Sequence, residues 1–528
     1  MEITDLVHAS TPWLTILVVI PALAAALVGL VPALRRRGRT IALGVSLVEL
    51  VLAVFAATTF DWTDAGTYQL VETARWIPQI GVSWALGVNA LGLVMVLLAT
   101  ALVPLVLLAG WREDEGGSEG GSYAALVLLL EAFMVMIFAA FDVVVFYIAF
   151  EAMLIPLYFM IGRFGVGDPE RRRAAAWKFL IYSLVGGLAM LGGLVALWAL
   201  VPERSETLFR LDTASQVVPG LSSGVQMGIF VSFMIAFAIK APMVPVHTWL
   251  PDTAAASRPG TSVLLVGVLD KIGTFGMIAL CLRLLPDAAS QARWVLCGLA
   301  VLSILWGGLA AIGQKDLMRL VSYTSVSHFG FMVLGIFVGS SVALTGAMFY
   351  MVANGVSIAA MFLVSGFLTE RGGSREIASY GGFQRVTPLI AGTWLVAGLA
   401  SIALPGLSGF VPEYLVLVGT YSVSVLLAVL AVLGVIIAAL YVLLPYQRLF
   451  TGPKPQDRDV PDLDVREKTV ITPLIAAMAV LGIWSAPLVG ALTPVSEDSV
   501  VALQAASAQA TASHTVSTPA AADEGSTK

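Results

Sequence analysis

Apolar residues occur along this chain in long uninterrupted runs rather than in short alternating segments. A helix needs about 20 such residues to cross the hydrocarbon core of a bilayer, whereas membrane β-strands show about ten residues of alternating polarity. The pattern therefore predicts an all-α integral membrane protein with about 14 transmembrane helices. The fourteen runs lie near residues 12–33, 41–60, 88–109, 123–140, 142–162, 175–200, 224–249, 259–283, 294–313, 320–340, 342–368, 388–422, 424–448 and 471–492.

Composition strengthens this prediction. The chain has 528 residues, of which 58% are hydrophobic and 12% charged, and its mean hydropathy is +0.91. Most of the 29 Lys and Arg residues lie in the connections that follow odd-numbered runs. Basic connections face the cytoplasm, so both termini are expected to face outward. The segment 495–528 is rich in Ala, Ser and Thr and is predicted to be a disordered outer tail.

The chain lacks sequence features of a cofactor site. Its two Cys residues are too few to hold an iron–sulfur cluster. Its four His residues show no metal-ligand spacing, and no Gly-rich phosphate loop follows a strand. We therefore expect no cofactor, no metal and no nucleic-acid partner.

Several ionisable side chains interrupt the apolar runs. Each costs about 2.5–3.5 kcal/mol at the centre of a bilayer, and such groups usually mark ion or proton paths. A structural ion pair could explain one or two of them. An alternating row of acid, base, base, imidazole and acid favours a wet proton path instead. The row consists of Glu151 in run 5, Lys240 in run 7, Lys271 in run 8, His328 in run 10 and Glu413 in run 12, with further acids at Glu49, Glu131 and Asp270.

Two runs contain helix-breaking residues beside a charge. Pro242 and Pro245 follow Lys240 and precede His247, and Pro405 precedes Glu413. Broken backbone at membrane depth is tolerated where protein or water satisfies the freed polar groups. Proline is common in membrane helices, which explains one break but not two matched ones.

The breaks also suggest an internal symmetry. Runs 4–8 and runs 9–13 each contain five helices, and the broken helix is the fourth in each set. Matched breaks predict two inverted five-helix repeats with helices 7 and 12 broken. The expected units are 1–110 (peripheral N-terminal helices), 111–290 (first repeat), 291–450 (second repeat), 451–494 (cytoplasmic loop and last helix) and 495–528 (tail).

Six motifs together carry a family resemblance. They are FYIAFEAMLIPLYFMIG, AAAWKFLIYSLVG, FAIKAPMVPVHTWLPD, SVLLVGVLDKIGTFG, RLVSYTSVSHFGFM and LPGLSGFVPEY. Over about residues 85–490 the chain resembles the antiporter-like subunits of proton-pumping NADH–quinone oxidoreductase, respiratory complex I.

The resemblance implies a role for each member of the row. Glu151 would tune Lys240, Lys271 would be the central base, His328 the polar connector and Glu413 the terminal proton-exchange group, with Glu131, His247 and Asn354 in support. Glutamate at position 413 is typical of the M-type branch, the counterpart of mitochondrial subunit 4, whereas its two sister subunits and sodium/proton antiporter subunits carry lysine there.

Three positions depart from the family pattern. Ala254 and Asn354 stand where histidine is common, and Asp270 stands where an apolar residue is common. Because Asn354 cannot titrate, a relay through it would need water.

The resemblance implies outward proton pumping in a bacterial inner membrane, without a redox centre in this chain. It implies partnership with sister antiporter-like subunits and other membrane-arm subunits. Alternatives are a sodium/proton antiporter subunit of a multi-subunit exchanger, which Glu413 disfavours, and a membrane subunit of a hydrogenase-type complex. A structural spacer and a stand-alone solute porter are further alternatives.

Overall fold

The computed structural model describes residues 6–113, 119–202, 205–454 and 460–516. Helices dominate these residues. They are α1 Trp13–Leu30, α2 Pro32–Arg35, α3 Gly38–Thr59, α4 Ala90–Ala109, α5 Glu119–Phe138, α6 Val143–Ala152, α7 Leu154–Gly162, α8 Pro169–Leu200, α9 Leu211–Val217, α10 Ser223–Lys240, α11 Trp249–Ala256, α12 Pro259–Leu264, α13 Lys271–Gly276, α14 Pro286–Ile312, α15 Leu317–Phe337, α16 Ser341–Gly372, α17 Pro388–Ser401, α18 Phe410–Tyr421, α19 Val425–Phe450, α20 Val465–Ile483 and α21 Ala486–Val516. Two π-helical turns, Leu265–Leu269 and Met277–Leu282, flank α13.

Twelve helical spans in the described part of the chain are long and apolar enough to cross a membrane. The count becomes thirteen if α20 and the first part of α21, bent by 69°, form one span. The fold is thus mostly helical and of membrane type, as the apolar runs predicted. The number of fourteen stays a prediction, because the run 388–422 divides into the short helices α17 and α18.

Both predicted helix breaks are confirmed. Helix α10 ends at Lys240 and α11 begins at Trp249, while α17 ends at Ser401 and α18 begins at Phe410. At the first break, the N–H of Val244 donates to the Ser303 hydroxyl at 3.0 Å, and the Trp249 indole donates to the carbonyl of Ile239 at 3.0 Å. Protein groups therefore satisfy backbone atoms that the break releases.

A small sheet, which the sequence did not predict, combines one strand before α1 with two strands between α3 and α4. Strands β1 Leu6–His8, β2 Tyr68–Ile77 and β3 Val82–Val88 form it in that order, with β1 parallel and β3 antiparallel to β2. Branched and aromatic residues favour strands here, and the segment is too polar for a membrane helix. These three strands are an addition to the mostly helical membrane fold that the sequence predicted.

The predicted disordered tail is wrong for residues 495–516, which belong to α21. Val495 and Leu503 are buried, and the hydroxyls of Thr345 and Ser496 are 2.7 Å apart. Apolar residues of α21 pack against α16, and this tertiary contact overrides the polar composition on which the prediction rested. Residues 517–528 lie outside the described part of the chain.

The centre of the molecule is a buried helical layer. The spans Pro259–Leu282 and Ser341–Gly372 are fully buried over their most apolar windows, and Leu317–Phe337 is 94% buried, whereas the window of α3 is only 28% buried. Side chains of the central layer therefore contact protein rather than the surrounding medium.

Candidate functional site

Lys240 lies at the C-terminal end of α10, directly before the first break. Its side chain is 1% exposed, and its Nζ has no hydrogen-bond partner among the described residues. The Nζ lies 5.3 Å from the ring centroid of Phe150 and 5.4 Å from that of Phe179. Two aromatic faces can stabilise an ammonium at this distance without fixing it by a hydrogen bond.

Glu151, on α6, interacts electrostatically with Lys240. The carboxyl group makes no ion pair with Lys240 within the described part of the chain, and its Oε1 has no hydrogen-bond partner there. A Cβ atom added at Gly187 of α8 would overlap this carboxyl group. Glu151 therefore lies against the backbone of α8, and its pair with Lys240 is open in this structure.

Lys271 follows the first π-helical turn. Its Nζ donates to Asn354 Oδ1 at 2.7 Å and to the carbonyl oxygen of Val266 at 2.6 Å. A π-helical turn widens the hydrogen-bond ladder, so Val266 lies within reach of the side chain. This fully buried ammonium thus has two strong acceptors.

Asn354 connects Lys271 to His328. The Asn354 Nδ2 is 2.9 Å from His328 Nδ1, and His328 Nε2 is 3.0 Å from the hydroxyl of Tyr441. Since the Asn354 oxygen accepts from Lys271, its amide nitrogen donates to Nδ1. The ring proton of neutral His328 is then on Nε2 and points to Tyr441.

Glu413 lies in the first turn of α18, after the second break. It is 4% exposed, and its Oε2 accepts a hydrogen bond from the Tyr350 hydroxyl at 2.8 Å. Tyr350 lies one helical turn before Asn354 on α16, so both project from the same face. The ring centroids of His328 and Tyr350 are 5.7 Å apart.

The structure therefore brings four predicted residues into one buried group: Lys271, Asn354, His328 and Glu413. Two members were not predicted. Tyr350 could have been found from its spacing of four residues to Asn354 on α16. Tyr441 lies in an otherwise apolar run, and no sequence pattern distinguished it.

Glu131 is not part of this group. It is buried on α5, neither carboxyl oxygen has a hydrogen-bond partner among the described residues, and it interacts electrostatically with Glu49 of α3. His247 is buried in the first break, 6.0 Å from the Tyr323 ring. Pro242 and Pro245 lie in the first break, and Pro405 lies in the second.

Asp252, the last residue of the FAIKAPMVPVHTWLPD motif, anchors α11. Its carboxylate lies 2.6 Å from Lys178 Nζ and 2.5 Å from Arg319 Nη1. Lys178 also donates to the carbonyl of Thr248 at 2.8 Å. These charge-assisted bonds hold the segment after the break against α8 and α15.

Within the described residues, no cluster of three or more His, Cys, Asp or Glu side chains could hold a metal ion. What the buried group offers is a sequence of donors and acceptors that can titrate or rotate. Such a group can bind protons and pass them on.

Comparison with known proteins defines the class. Residues 140–438 match the model of the family described as NADH:quinone oxidoreductase/Mrp antiporter, transmembrane. The chain belongs to this family. The resemblance inferred from the motifs is thus confirmed.

Individual relatives are more specific. NADH-quinone oxidoreductase subunit M of Mycobacterium tuberculosis is 41% identical, over 94% of this chain and 95% of that protein. A chain of respiratory complex I from Thermus thermophilus with bound NADH superimposes with a TM-score of 0.83 at 30% identity, covering 93% of this chain and 99% of that one. The relative named subunit M agrees with the M-type branch of the family that Glu413 indicated.

A chain of the Mrp complex from Dietzia sp. DQ12-45-1b has the same fold. Its TM-score is also 0.83, over 94% of this chain and 99% of that chain, but only 21% of the residues are identical. At that identity the likeness concerns the fold alone.

Proposed function

We propose that this chain is the M-type antiporter-like subunit of a bacterial NADH–quinone oxidoreductase and moves protons outward across the membrane. Quinone reduction in other subunits would supply the energy. The observation that carries the proposal is the hydrogen-bonded sequence Lys271, Asn354, His328 and Tyr441 inside a fully buried layer. A purely structural spacer would not need so many buried polar groups.

The proposed cycle begins at the open Glu151–Lys240 pair. When Glu151 approaches, its negative charge favours the ammonium form of Lys240; when it withdraws to α8, burial favours the neutral amine. Lys240 then releases its proton toward Lys271. Lys271 gains positive charge when it takes up this proton. The hydrogen bonds of Asn354 transmit the electrostatic effect of that charge to His328.

The exit lies at the other end of the group. His328 takes up a proton and passes it toward Glu413 by way of the hydroxyl groups of Tyr441, which is hydrogen-bonded to His328, and Tyr350, which is hydrogen-bonded to Glu413. Asn354 donates to His328 but offers it no proton to exchange, so conduction past this amide requires a water molecule or a rotation of the side chain. Glu413 releases the proton outward.

The proposed function also implies a number of membrane spans, a repeat arrangement and an orientation. We infer that α17 and α18 together form one broken span, which brings the total to fourteen. Helices of runs 4–8 and 9–13 would then be inverted repeats, with both termini outward and sister subunits beside the chain. The unequal distribution of Lys and Arg supports this orientation.

The test is Lys240→Met in the assembled complex, reconstituted in sealed vesicles. We expect quinone-linked proton uptake by this subunit to be lost, because methionine fills a similar volume but cannot hold a proton. The matched control is Lys315→Met, since Lys315 is exposed and lies outside the buried group. A normal proton-to-NADH ratio in the assembled Lys240→Met complex would refute the proposal.

The same vesicles distinguish the proposed function from the main alternative, a sodium/proton antiporter. A sodium/proton antiporter would need sodium for proton movement, whereas we expect the same initial rate with sodium and with choline. Loss of proton movement in sodium-free buffer would favour the exchanger.

A further inference from the structure

Asp270 is a buried acid that the proposed cycle does not use. It is 0% exposed, and neither carboxyl oxygen has a hydrogen-bond partner among the described residues. Buried polar groups in proteins are nearly always paired, and an acid at membrane depth usually has a functional role. The position therefore requires an explanation beyond packing.

The direction of the side chain follows from the helix. Neighbouring residues of a helix point about 100° apart, and Lys271 is directed at Asn354 of α16. Asp270 instead shares a face with Gly273, three residues later. A Cβ added at Gly273 would lie 2.6 Å from the Ala241 nitrogen and 2.6 Å from the Phe237 oxygen.

The face that carries Asp270 is thus pressed against the end of α10, where Lys240 lies. Lys271 faces one neighbouring helix, and Asp270 faces the other. The carboxyl group interacts electrostatically with both lysines.

We propose that Asp270 is a proton-carrying residue between Lys240 and Lys271. The inference rests on the function proposed above and extends it by one site. In the first step, the ammonium of Lys240 gives a proton to the Asp270 carboxylate, which leaves a neutral amine and a carboxylic acid. In the second step, the acid gives this proton to the neutral amine of Lys271, which restores the carboxylate and forms an ammonium.

Transfer of a proton from Lys240 to Asp270 requires that one group moves. Lys240 makes no ion pair within 4.0 Å among the described residues, so a swing of its long side chain or one bridging water must close the gap. Lys240 is suited to such movement, because its ammonium lies near two aromatic faces and has no hydrogen-bond partner among the described residues. Lys271, held by two acceptors, is the fixed end.

The test compares three substitutions in the assembled complex, reconstituted in vesicles: Asp270→Asn, Asp270→Glu and, as the control, Lys315→Met. Asparagine keeps the size of the side chain but cannot carry a proton, so we expect proton movement to fall to the level of Lys240→Met. Glutamate keeps the carboxyl group, so Asp270→Glu should retain most of the proton movement. Lys315 is exposed and lies outside the buried group, so Lys315→Met should pump normally.

The outcomes separate the inference from the proposed function. Full pumping by assembled Asp270→Asn, with pumping lost in Lys240→Met, overturns the role of Asp270 alone. Full pumping by Lys240→Met overturns the proposed function. Equal loss of pumping in Asp270→Asn and Asp270→Glu, with normal pumping by Lys315→Met, shows that any change at position 270 is disruptive and also contradicts the inference.

Discussion

Asn354 illustrates how one residue controls a connection. Its two polar atoms bind two different titratable partners, Lys271 on one side and His328 on the other. An amide fixes the orientation of both partners but cannot change charge. Asn354 therefore holds Lys271 and His328 in fixed orientations, but it cannot itself carry a proton between them.

Replacement of Asn354 should change the rate of proton movement. Asn354→Leu should leave Lys271 with one acceptor and His328 with an unpaired Nδ1, which costs about 1–3 kcal/mol per unsatisfied group and should slow proton movement. Asn354→His restores a titratable link and should pump at least as fast as the unchanged protein. Proton uptake by vesicles, measured at saturating NADH, checks both. Equal rates in all three proteins would show that the amide has no part in the path.

At the scale of elements, the contact between α13 and α10 determines the position of the lysines. Gly273 permits this contact because its missing side chain leaves room for the backbone of Phe237 and Ala241. Backbone contact of this kind is typical of small residues in membrane helices. The site thus depends on a residue that carries no functional group.

We expect Gly273→Ala to force the two helices apart and to lower stability by about 1–3 kcal/mol, the usual cost of overpacking. The control is Gly298→Ala in α14, where nothing lies within 4 Å of the added atom and where alanine favours the helix. Thermal unfolding of the two detergent-solubilised variants should show a lower midpoint only for Gly273→Ala. An equal midpoint for both would contradict the close contact.

The start of α20 is held by a capping box outside the membrane spans. Asp464 accepts from the backbone N–H of Glu467 at 2.8 Å and pairs with Arg112 at 2.8 Å. Burial alone would raise the pKa of Asp464, but the Glu467 hydrogen bond and nearby arginines outweigh it and hold this pKa below its usual 3.8. A lowered pKa means that the folded state favours the carboxylate. Its stabilising effect is present above about pH 3.8 and is lost as the pH falls through the lower folded value.

Asp464→Ala should therefore open the first turn of α20, at a cost of about 1 kcal/mol. Asp464→Asn keeps an acceptor at the cap and should cost less. Hydrogen–deuterium exchange at the Glu467 amide measures both effects. In the unchanged protein we expect protection of this amide to persist down to about pH 4; loss of protection near neutral pH would show that the cap does not depend on the carboxylate.

At the scale of the whole molecule, sequence patterns predicted the membrane class, both helix breaks and four members of the buried group. The membrane class follows from local hydrophobicity, the breaks from proline, and Lys271, His328 and Glu413 from the cost of ionisable groups in lipid. Asn354 was predicted only from the family resemblance. The contacts of Tyr441 with His328 and the packing of α21 on α16 depend on residues far apart in the chain. No local pattern specifies such contacts, so the tail prediction was wrong and Tyr441 was missed.

The orientation of the molecule can be tested by cysteine labelling. The native Cys281 and Cys297 are buried, so an impermeant maleimide should react only with introduced residues. Thr63→Cys, an exposed position before β2, should react in intact cells. Gln384→Cys, exposed in the connection before α17, should react only after the cells are opened. The reverse pattern would invert the topology and the direction of transport.

The π-helical turn at Leu265–Leu269 has a consequence for how this region tolerates change in length. A π-turn holds one residue more than an α-turn, and Asp270 and Lys271 follow it directly. Because the π-turn absorbs its additional residue, deleting one residue from it would restore an α-turn and leave the downstream side chains facing nearly the same way. Lys271 would keep its direction, but the widened ladder that exposes the Val266 carbonyl oxygen to its Nζ would close. In this stretch a single-residue gap between related chains therefore alters the hydrogen bonding of the buried lysine rather than the course of the helix.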